Sequence, residues 1–258
     1  MVIVTKLVGG LCNQMFQYAV ARSLSVKNNC TCYVDISEFK IYGVHPYSLN
    51  KFNITENIWQ GGNLPIYREK YFQYDPNVLS INSDTKLWGY WQTEKYFKDI
   101  REVLLKELTL KETLSSQNIN TATHIKNTNS VSVHFRRKDY VNHENFVQLD
   151  MDYYNKAIQQ FDNPILFVFS DDIEWAKNNF KPKQQVHFID YNINQGWLDL
   201  YLTTQCKHHI MANSSFSWWG AWLNTNPNKK IIYPAHWFKG ANLKLDTRDL
   251  IPTGWTKI

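Results

Sequence analysis

Apolar and polar positions change their period along this chain. Val2-Ile3-Val4 is a β-branched run that predicts a buried first strand, and Gly9-Gly10 breaks it. From Asn13 onward Met15, Phe16, Val20 and Leu24 recur at helical spacing, which predicts a helix through about Val26. A second strand is expected from Cys30, ending at Asp35. The stretch from Glu38 to Pro76 is aromatic, polar and broken by Gly61-Gly62 and scattered prolines, so short elements and loops are expected there. Lys95 to Leu110 predicts a helix with Phe97, Ile100, Val103, Leu104 and Leu108 on one side. Asn118 to Asn129 is rich in Asn and Thr and poor in large apolar residues, which suggests a domain boundary, with one domain over 1–128 and the other over 129–258.

Beyond that point the pattern is regular. Strands are predicted at Val131 to Phe135, Ile165 to Phe169, Val186 to Ile189, His209 to Ala212 and Lys230 to Tyr233. Helices are predicted between them at Tyr153 to Phe161, Ile173 to Phe180, Trp197 to Gln205 and Ser215 to Leu223. Ile165-Leu166-Phe167-Val168-Phe169 has no polar residue, as a strand covered by helices on both faces requires. Alternating strands and helices imply β-α-β crossovers and a parallel sheet, hence an α/β fold.

Composition narrows the class. With 43% hydrophobic and 20% charged residues over 258 positions, the chain is globular and long enough for one large or two small domains. No apolar run approaches the ~18 residues of a membrane span. The first residues read as a strand rather than a signal peptide, so a soluble, cytoplasmic protein is expected. Cys12, Cys30, Cys32 and Cys206 lack zinc-site spacing and are expected to be reduced and mostly buried. The net charge of +5 suits an anionic small molecule, and without a Lys/Arg block nucleic acid is set aside as a partner.

In an open parallel sheet, ligands bind beyond the carboxyl ends of the strands. Three such ends carry polar segments: His134-Phe135-Arg136-Arg137-Lys138-Asp139, Ser170-Asp171-Asp172, and Asn213-Ser214-Ser215-Phe216-Ser217, which also opens a helix. Arginine offers phosphate a planar fork of donors and a permanent charge. A helix N-terminus adds oriented N–H groups. Asp171 or Asp172 could accept from a guanine edge or a ribose hydroxyl. Arg136 is expected to reach a diphosphate directly, with Arg137 bracing the site through Asp172 or Asp139. Each piece alone has a plainer reading: a solvated arginine pair, a turn, a helix cap. Trp218-Trp219 reads as packing, and His208-His209 as structural or exposed. The shared sheet edge favours a functional reading.

These segments resemble the motifs of the α-1,2-fucosyltransferases, glycosyltransferase family 11. Gly9-Gly10-Leu11-Cys12-Asn13-Gln14-Met15-Phe16-Gln17-Tyr18 is similar to the family's opening G-G-L-G-N-Q-x-F-Q-Y. His134 to Val141 resembles H-x-R-R-x-D-Y-V, and Phe169 to Asp172 resembles F-S-D-D. Asn213 to Leu223 matches N-S-[ST]-F-S-W-W-G-A-W-L, and Gly254-Trp255 resembles the closing motif. The likeness runs nearly end to end. Cys12 departs from it by standing where the family has Gly, a strained choice if that position needs φ > 0.

The resemblance implies a GT-B-like protein of two Rossmann-like halves facing a cleft, the first on the acceptor side and the second binding GDP-L-fucose. It implies inverting, metal-independent transfer of L-fucose to the 2-hydroxyl of a terminal galactose, with no cofactor beyond the donor. The acceptor would be a galactose-terminated oligosaccharide or a lipid-linked glycan, the latter bringing peripheral membrane contact, as in O-antigen biosynthesis. Arg136 would be catalytic. His134, Arg136, Arg137, Asp172, Asn213, Ser214, Ser215, Phe216 and Ser217 would bind donor. Gly10, Asn13, Gln14 and Asp139 would lie on the cleft or acceptor side. No metal ligands are expected, and no general base is assigned. The alternatives are a transferase of the same fold with another nucleotide sugar or linkage, and a non-catalytic carbohydrate-binding protein. A nicotinamide enzyme is disfavoured because Gly9-Gly10-x-x-Asn13 is not G-x-G-x-x-G.

Overall fold

The β-branched start forms β1 (Val2–Lys6), and the apolar-periodic segment after it forms α1 (Leu11–Lys27). This computed structural model describes residues 1–41, 43, 45–55 and 57–258. Residues 42, 44 and 56, inside the stretch read as loops, lie outside that description. The chain divides into two units, Met1–Glu112 with Leu245–Pro252, and Thr113–Lys244 with Thr253–Ile258.

The first unit continues with β2 (Thr31–Asp35), β3 (Ile66–Arg68), β4 (Thr85–Trp88) and α2 (Arg101–Glu107). Its four-stranded parallel sheet has the order β2-β1-β4-β3. α1 is buried around most of its circumference, including Gln14 and Gln17. Those amides hold the Gly-rich turn. Gln14 Nε2 donates to the carbonyls of Gly9 (2.8 Å) and Pro46 (3.0 Å), its Oε1 accepts from Ser48 N (3.0 Å), and Gln17 Oε1 accepts from Val8 N (2.9 Å). Arg22 and Tyr18 then tie α1 to α2 through Glu107. The segment expected as one helix from Lys95 to Leu110 is instead two single 3-10 turns, Glu94–Tyr96 and Lys98–Ile100, followed by α2. Its apolar side still faces inward, with Phe97, Ile100, Leu104 and Leu108 buried. Residues 245–252 return to this unit because Asp249 accepts from Tyr74 N (3.0 Å) and Lys95 Nζ (2.5 Å).

Cys12 is not strained. The positive φ falls at Gly9 (75°), Gly10 is extended at φ −70°, and Cys12 sits in the first turn of α1. The loop shape therefore depends on Gly9 and leaves position 12 free to carry a side chain.

The second unit comprises α3 (Ser116–Asn127), β5 (Ser130–Phe135), α4 (Met151–Ile158), β6 (Ile165–Ser170), α5 (Ile173–Asn179), β7 (Val186–Phe188), α6 (Gly196–Gln205), β8 (His208–Ile210), α7 (Ser215–Leu223), β9 (Ile231–Tyr233) and β10 (Thr256–Lys257). Its parallel sheet runs β10-β9-β8-β5-β6-β7. The Asn/Thr-rich stretch read as a boundary is α3 itself. Ser115 caps it, accepting from Asn118 N (3.2 Å), and Ala122 and Ile125 give it an apolar stripe narrow enough to escape a count of large residues. Strand alternation separates two cores. Val131, Val133 and Phe135 pack with α4 and α5, whereas Phe167 and Phe169 pack with α3 and α6. The expected α/β class of two Rossmann-like halves is thus present. Among the described residues no helix is long and apolar enough to cross a membrane.

Candidate active site

β5 lies between β6 and β8, so the three polar segments singled out in the sequence leave neighbouring strands at one edge. Arg136 and Arg137 follow β5 directly. The Arg136 guanidinium pairs with two carboxylates, Nη2 with Asp139 Oδ1 at 2.5 Å and Nη1 with Asp171 Oδ2 at 3.0 Å. The second contact has ion-pair distance but not hydrogen-bond geometry, since Asp171 Oδ2 accepts no bond. Asp171 Oδ1 accepts from Arg137 N at 2.8 Å. Burial pushes the Asp171 carboxyl up, and Arg136 opposes that rise.

Arg137 turns elsewhere. Its guanidinium lies 3.5 Å from the Trp175 ring centroid, and Nε sits 3.4 Å from Asp172 Oδ2. Asp172 also caps α5, accepting from Trp175 N (3.3 Å). Arg137 is thus bound into the scaffold through Asp172, and Arg136 lies beside the exposed Asp139.

His134 is buried and lies against the Phe216 ring, centroids 4.8 Å apart. Its Nδ1 is 3.1 Å from Ser217 Oγ, whose proton goes to the Ala212 carbonyl at 3.0 Å. Nδ1 is therefore the donor, and Nε2 is left as an acceptor. Burial, with Arg136 adding to it, pushes the imidazole down to about 3, so it is neutral at physiological pH.

α7 opens at the same edge. Ser214 caps it, accepting from Phe216 N at 3.3 Å, and Ser215 is its first residue. The Asn213 side-chain nitrogen is tied into the loop. It is buried, and Nδ2 donates to the carbonyls of Val147 (2.9 Å) and Trp237 (2.8 Å), which shapes the loop. Ser217 is likewise buried and serves His134. Trp218, Trp219 and Trp222 are packed core, as their plainer reading had it. Tyr140, to which the sequence alone assigns no role, also belongs to this edge. Its hydroxyl donates to the Asn213 carbonyl (3.2 Å), and its ring lies 5.3 Å below the Arg136 guanidinium. It links the loop after β5 to the mouth of α7. Asp171 proves to be the carboxylate that meets Arg136, and Asp172 the one that caps.

In the first unit, Gly10 caps α1 and Asn13 Oδ1 accepts from Gln92 Nε2 at 2.9 Å. Gln14 is fully buried and committed to the turn, so it braces rather than contacts a ligand. Among the described residues no three His, Cys, Asp or Glu side chains gather to hold a metal ion.

A guanidinium, a neutral imidazole and a capped helix mouth thus stand at one edge of a Rossmann-like sheet, group types that can hold an anion. The chain belongs to glycosyl transferase family 11, whose model matches residues 2–258. It is 34% identical to an alpha-1,2-colitosyltransferase of Escherichia coli over 100% of this chain and 99% of that protein. It is 30% identical to the Escherichia coli O-antigen biosynthesis glycosyltransferase WbnK, covering 93% and 96%. With galactoside alpha-(1,2)-fucosyltransferase 2 of Bos taurus it shares 26% identity over 84% of this chain and 67% of that one. Its fold is similar to that of the fucosyltransferase NodZ from Bradyrhizobium, with TM-score 0.53 and 11% identity over 85% of this chain and 92% of that one.

Proposed function

We propose that this protein transfers L-fucose from GDP-L-fucose to the 2-hydroxyl of a terminal galactose, with inversion and without a metal ion. The observation that carries the proposal is the Arg136 guanidinium, held beside Asp171 and linked through Tyr140 to the mouth of α7. The galactose 2-hydroxyl oxygen attacks C1 of fucose from the face opposite GDP and gives up its proton to solvent as the bond forms. The new C1–O bond forms as the bond from C1 to the β-phosphate oxygen breaks, through an oxocarbenium-like transition state. The bonding electrons leave with GDP, and Arg136 with the first-turn N–H of Ser215 at the mouth of α7 stabilises that charge. Neutral His134 offers Nε2 to a donor hydroxyl or N–H. Arg137, Asp172, Asn213 and Ser217 hold these groups in place.

The second unit is read as the donor unit. The first, with its Gly10-Asn13 turn, is read as the acceptor unit. A lipid-linked acceptor of O-antigen type would bring the enzyme to the membrane surface. Four free cysteines, three of them buried, support a cytoplasmic place of action.

The whole-chain likeness to a colitosyltransferase favours a second reading of the donor alone. Colitose is L-fucose without its 3-hydroxyl. A site that hydrogen-bonds that hydroxyl rejects the deoxy sugar strongly, whereas a site without such a contact accepts both. Incubation with GDP-fucose, GDP-colitose and GDP-mannose against a panel of β-galactosides, with linkage analysis of products, decides both points. An α-1,2-fucosylated galactoside is expected. Products from GDP-colitose alone would replace the donor assignment, and no product from any donor would refute the proposal.

A further inference from the structure

The carboxyl edge of the first sheet holds a turn that is over-built for a connection. β3 and β4 run parallel in register, Arg68 opposite Trp88, so Glu69 leaves one strand beside Gly89-Tyr90-Trp91-Gln92 leaving the other. The Glu69 carboxylate points into this turn, accepting from Tyr90 N at 2.7 Å and Trp91 N at 2.9 Å. Its burial pushes its pKa up. Trp91 has φ +59°, a conformation that a bulky aromatic residue rarely adopts. Its indole is fully buried, and its N–H has no acceptor among the described residues. A Cβ on Gly89 would stand 2.3 Å from Glu69 Cβ, so only glycine fits there. Strain and a buried carboxylate persist only where the surroundings over-determine them, and such features cluster at ligand sites.

What the turn presents is an aromatic ring. Among the described residues, Tyr71 (59% exposed) and Tyr90 (45%) are the only exposed Phe, Tyr or Trp side chains in an aromatic-rich chain. They follow β3 and β4 at the same edge. Gln92, the next residue of the turn, donates to Asn13 at 2.9 Å and so ties it to the Gly-rich turn after β1.

The structure assigns this edge as the acceptor-sugar subsite, an assignment that rests on the transferase reading. Tyr90, flanked by Tyr71, is the platform on which the galactose ring lies, and Gln92 with Asn13 supplies polar contacts at the rim. Galactose suits such a platform. Its axial 4-hydroxyl leaves the C3, C4 and C5 hydrogens on one face, an apolar patch that packs on a phenol ring while the hydroxyls stay wet. Glu69 touches no substrate. It is a positioning residue that fixes Tyr90 through the backbone.

Two measurements on the full chain test the assignment. In initial-rate kinetics with GDP-fucose and a β-galactosyl disaccharide, Tyr90→Ala is expected to raise the acceptor KM at least 10-fold and to leave the donor KM within two-fold. Tyr90→Phe is expected to stay close to the unmodified protein. Glu69→Gln is expected to raise the acceptor KM while sparing the donor KM, a split that a general loss of folding does not give. An unchanged acceptor KM in Tyr90→Ala, or donor and acceptor terms falling together, overturns the assignment. The second measurement is saturation-transfer NMR with methyl β-galactoside, which works without turnover. If no sugar is transferred, the transferase reading fails by itself. Saturation of the H3, H4 and H5 protons that is lost in Tyr90→Ala still upholds the subsite. A signal absent from the unmodified protein, or unchanged in Tyr90→Ala, removes it.

Discussion

Replacing Arg136 tests the proposal at its centre. The side chain is 28% exposed, so its charge acts through a medium between water and protein interior. At an effective dielectric of about 20, a unit charge 4 Å away is worth about 4 kcal/mol before desolvation. In the resting protein that attraction goes to Asp171 and Asp139. Asp171 is anchored by Arg137 N and stays, whereas Asp139 is 59% exposed and can yield its place to a phosphate oxygen at little cost. The charge that grows on the leaving diphosphate then meets a guanidinium already in position. Arg136→Ala should lose about 3–4 kcal/mol of transition-state stabilisation, roughly a 100- to 1,000-fold fall in kcat/KM. Arg136→Lys keeps the charge but not the planar fork and should recover only part of it. The assay is steady-state transfer from GDP-fucose to a β-galactoside, with GDP affinity measured by calorimetry and folding checked by thermal melts. If Arg136→Ala keeps kcat/KM within five-fold of the unmodified enzyme, the guanidinium does not stabilise the leaving group.

Two further predictions concern protons. His134 and His209 are both pushed down to about 3 by burial. Their NMR ring signals should therefore stay flat between pH 8 and 5, and a midpoint near 6 for either would contradict the burial argument. The unfolded chain takes up the protons that the folded state refuses, so each imidazole removes about 2 kcal/mol of stability as pH falls from 7 to 5. Asp199 acts in the opposite sense. Burial raises its carboxyl from 3.8 to about 7 despite the hydrogen bond from Asn192, so its stabilising contribution is present at low pH and is lost as pH rises through that window. Urea unfolding at pH 5 and pH 8 should show Asp199→Asn gaining about 2.5 kcal/mol on the parent across that interval. Equal shifts in both proteins would show that Asp199 does not titrate as its burial implies.

Legibility differed between the two units for a physical reason. In the second unit every strand from Val131 to Tyr233 is bounded by a helix, and continuous apolar runs such as 165–169 on the strands contrast with helical spacing between them. In the first unit β3 is only Ile66–Arg68 and β4 only Thr85–Trp88. Three or four residues are too few to establish a period. What holds them is parallel pairing, β4 with β1 and β3 with β4, which no local pattern records. α3 was misread for a related reason. Its burial rests on Ala122, Ile125 and Asn118, the last exchanging amide bonds with Asn192 at 2.9 and 3.1 Å. A small residue and a paired amide carry little hydrophobic signal, yet they suffice when the partner is a neighbouring helix start.

The site followed the same logic at finer scale. Residue type and strand order were enough to gather Arg136, His134 and Ser214 at one edge, because neighbouring parallel strands deliver their loops to the same place. Which of two adjacent groups does what was not legible. Asp171 and Asp172 are the same residue type one position apart, and a strand that ends at Ser170 sends one toward Arg136 and turns the other into the cap of α5. Asn213, Ser214 and Ser217 share hydrogen-bonding chemistry. The Asn213 Nδ2 protons go to the carbonyls of Val147 and Trp237, and Ser217 is used by His134 and Ala212, so these donors serve the fold. A buried polar residue satisfies its own backbone first, because an unmet hydrogen bond in the interior costs about as much as several good ones supply. In the proposed reading, donor binding draws on what is left over, which at this edge is a guanidinium, an imidazole nitrogen and a helix mouth.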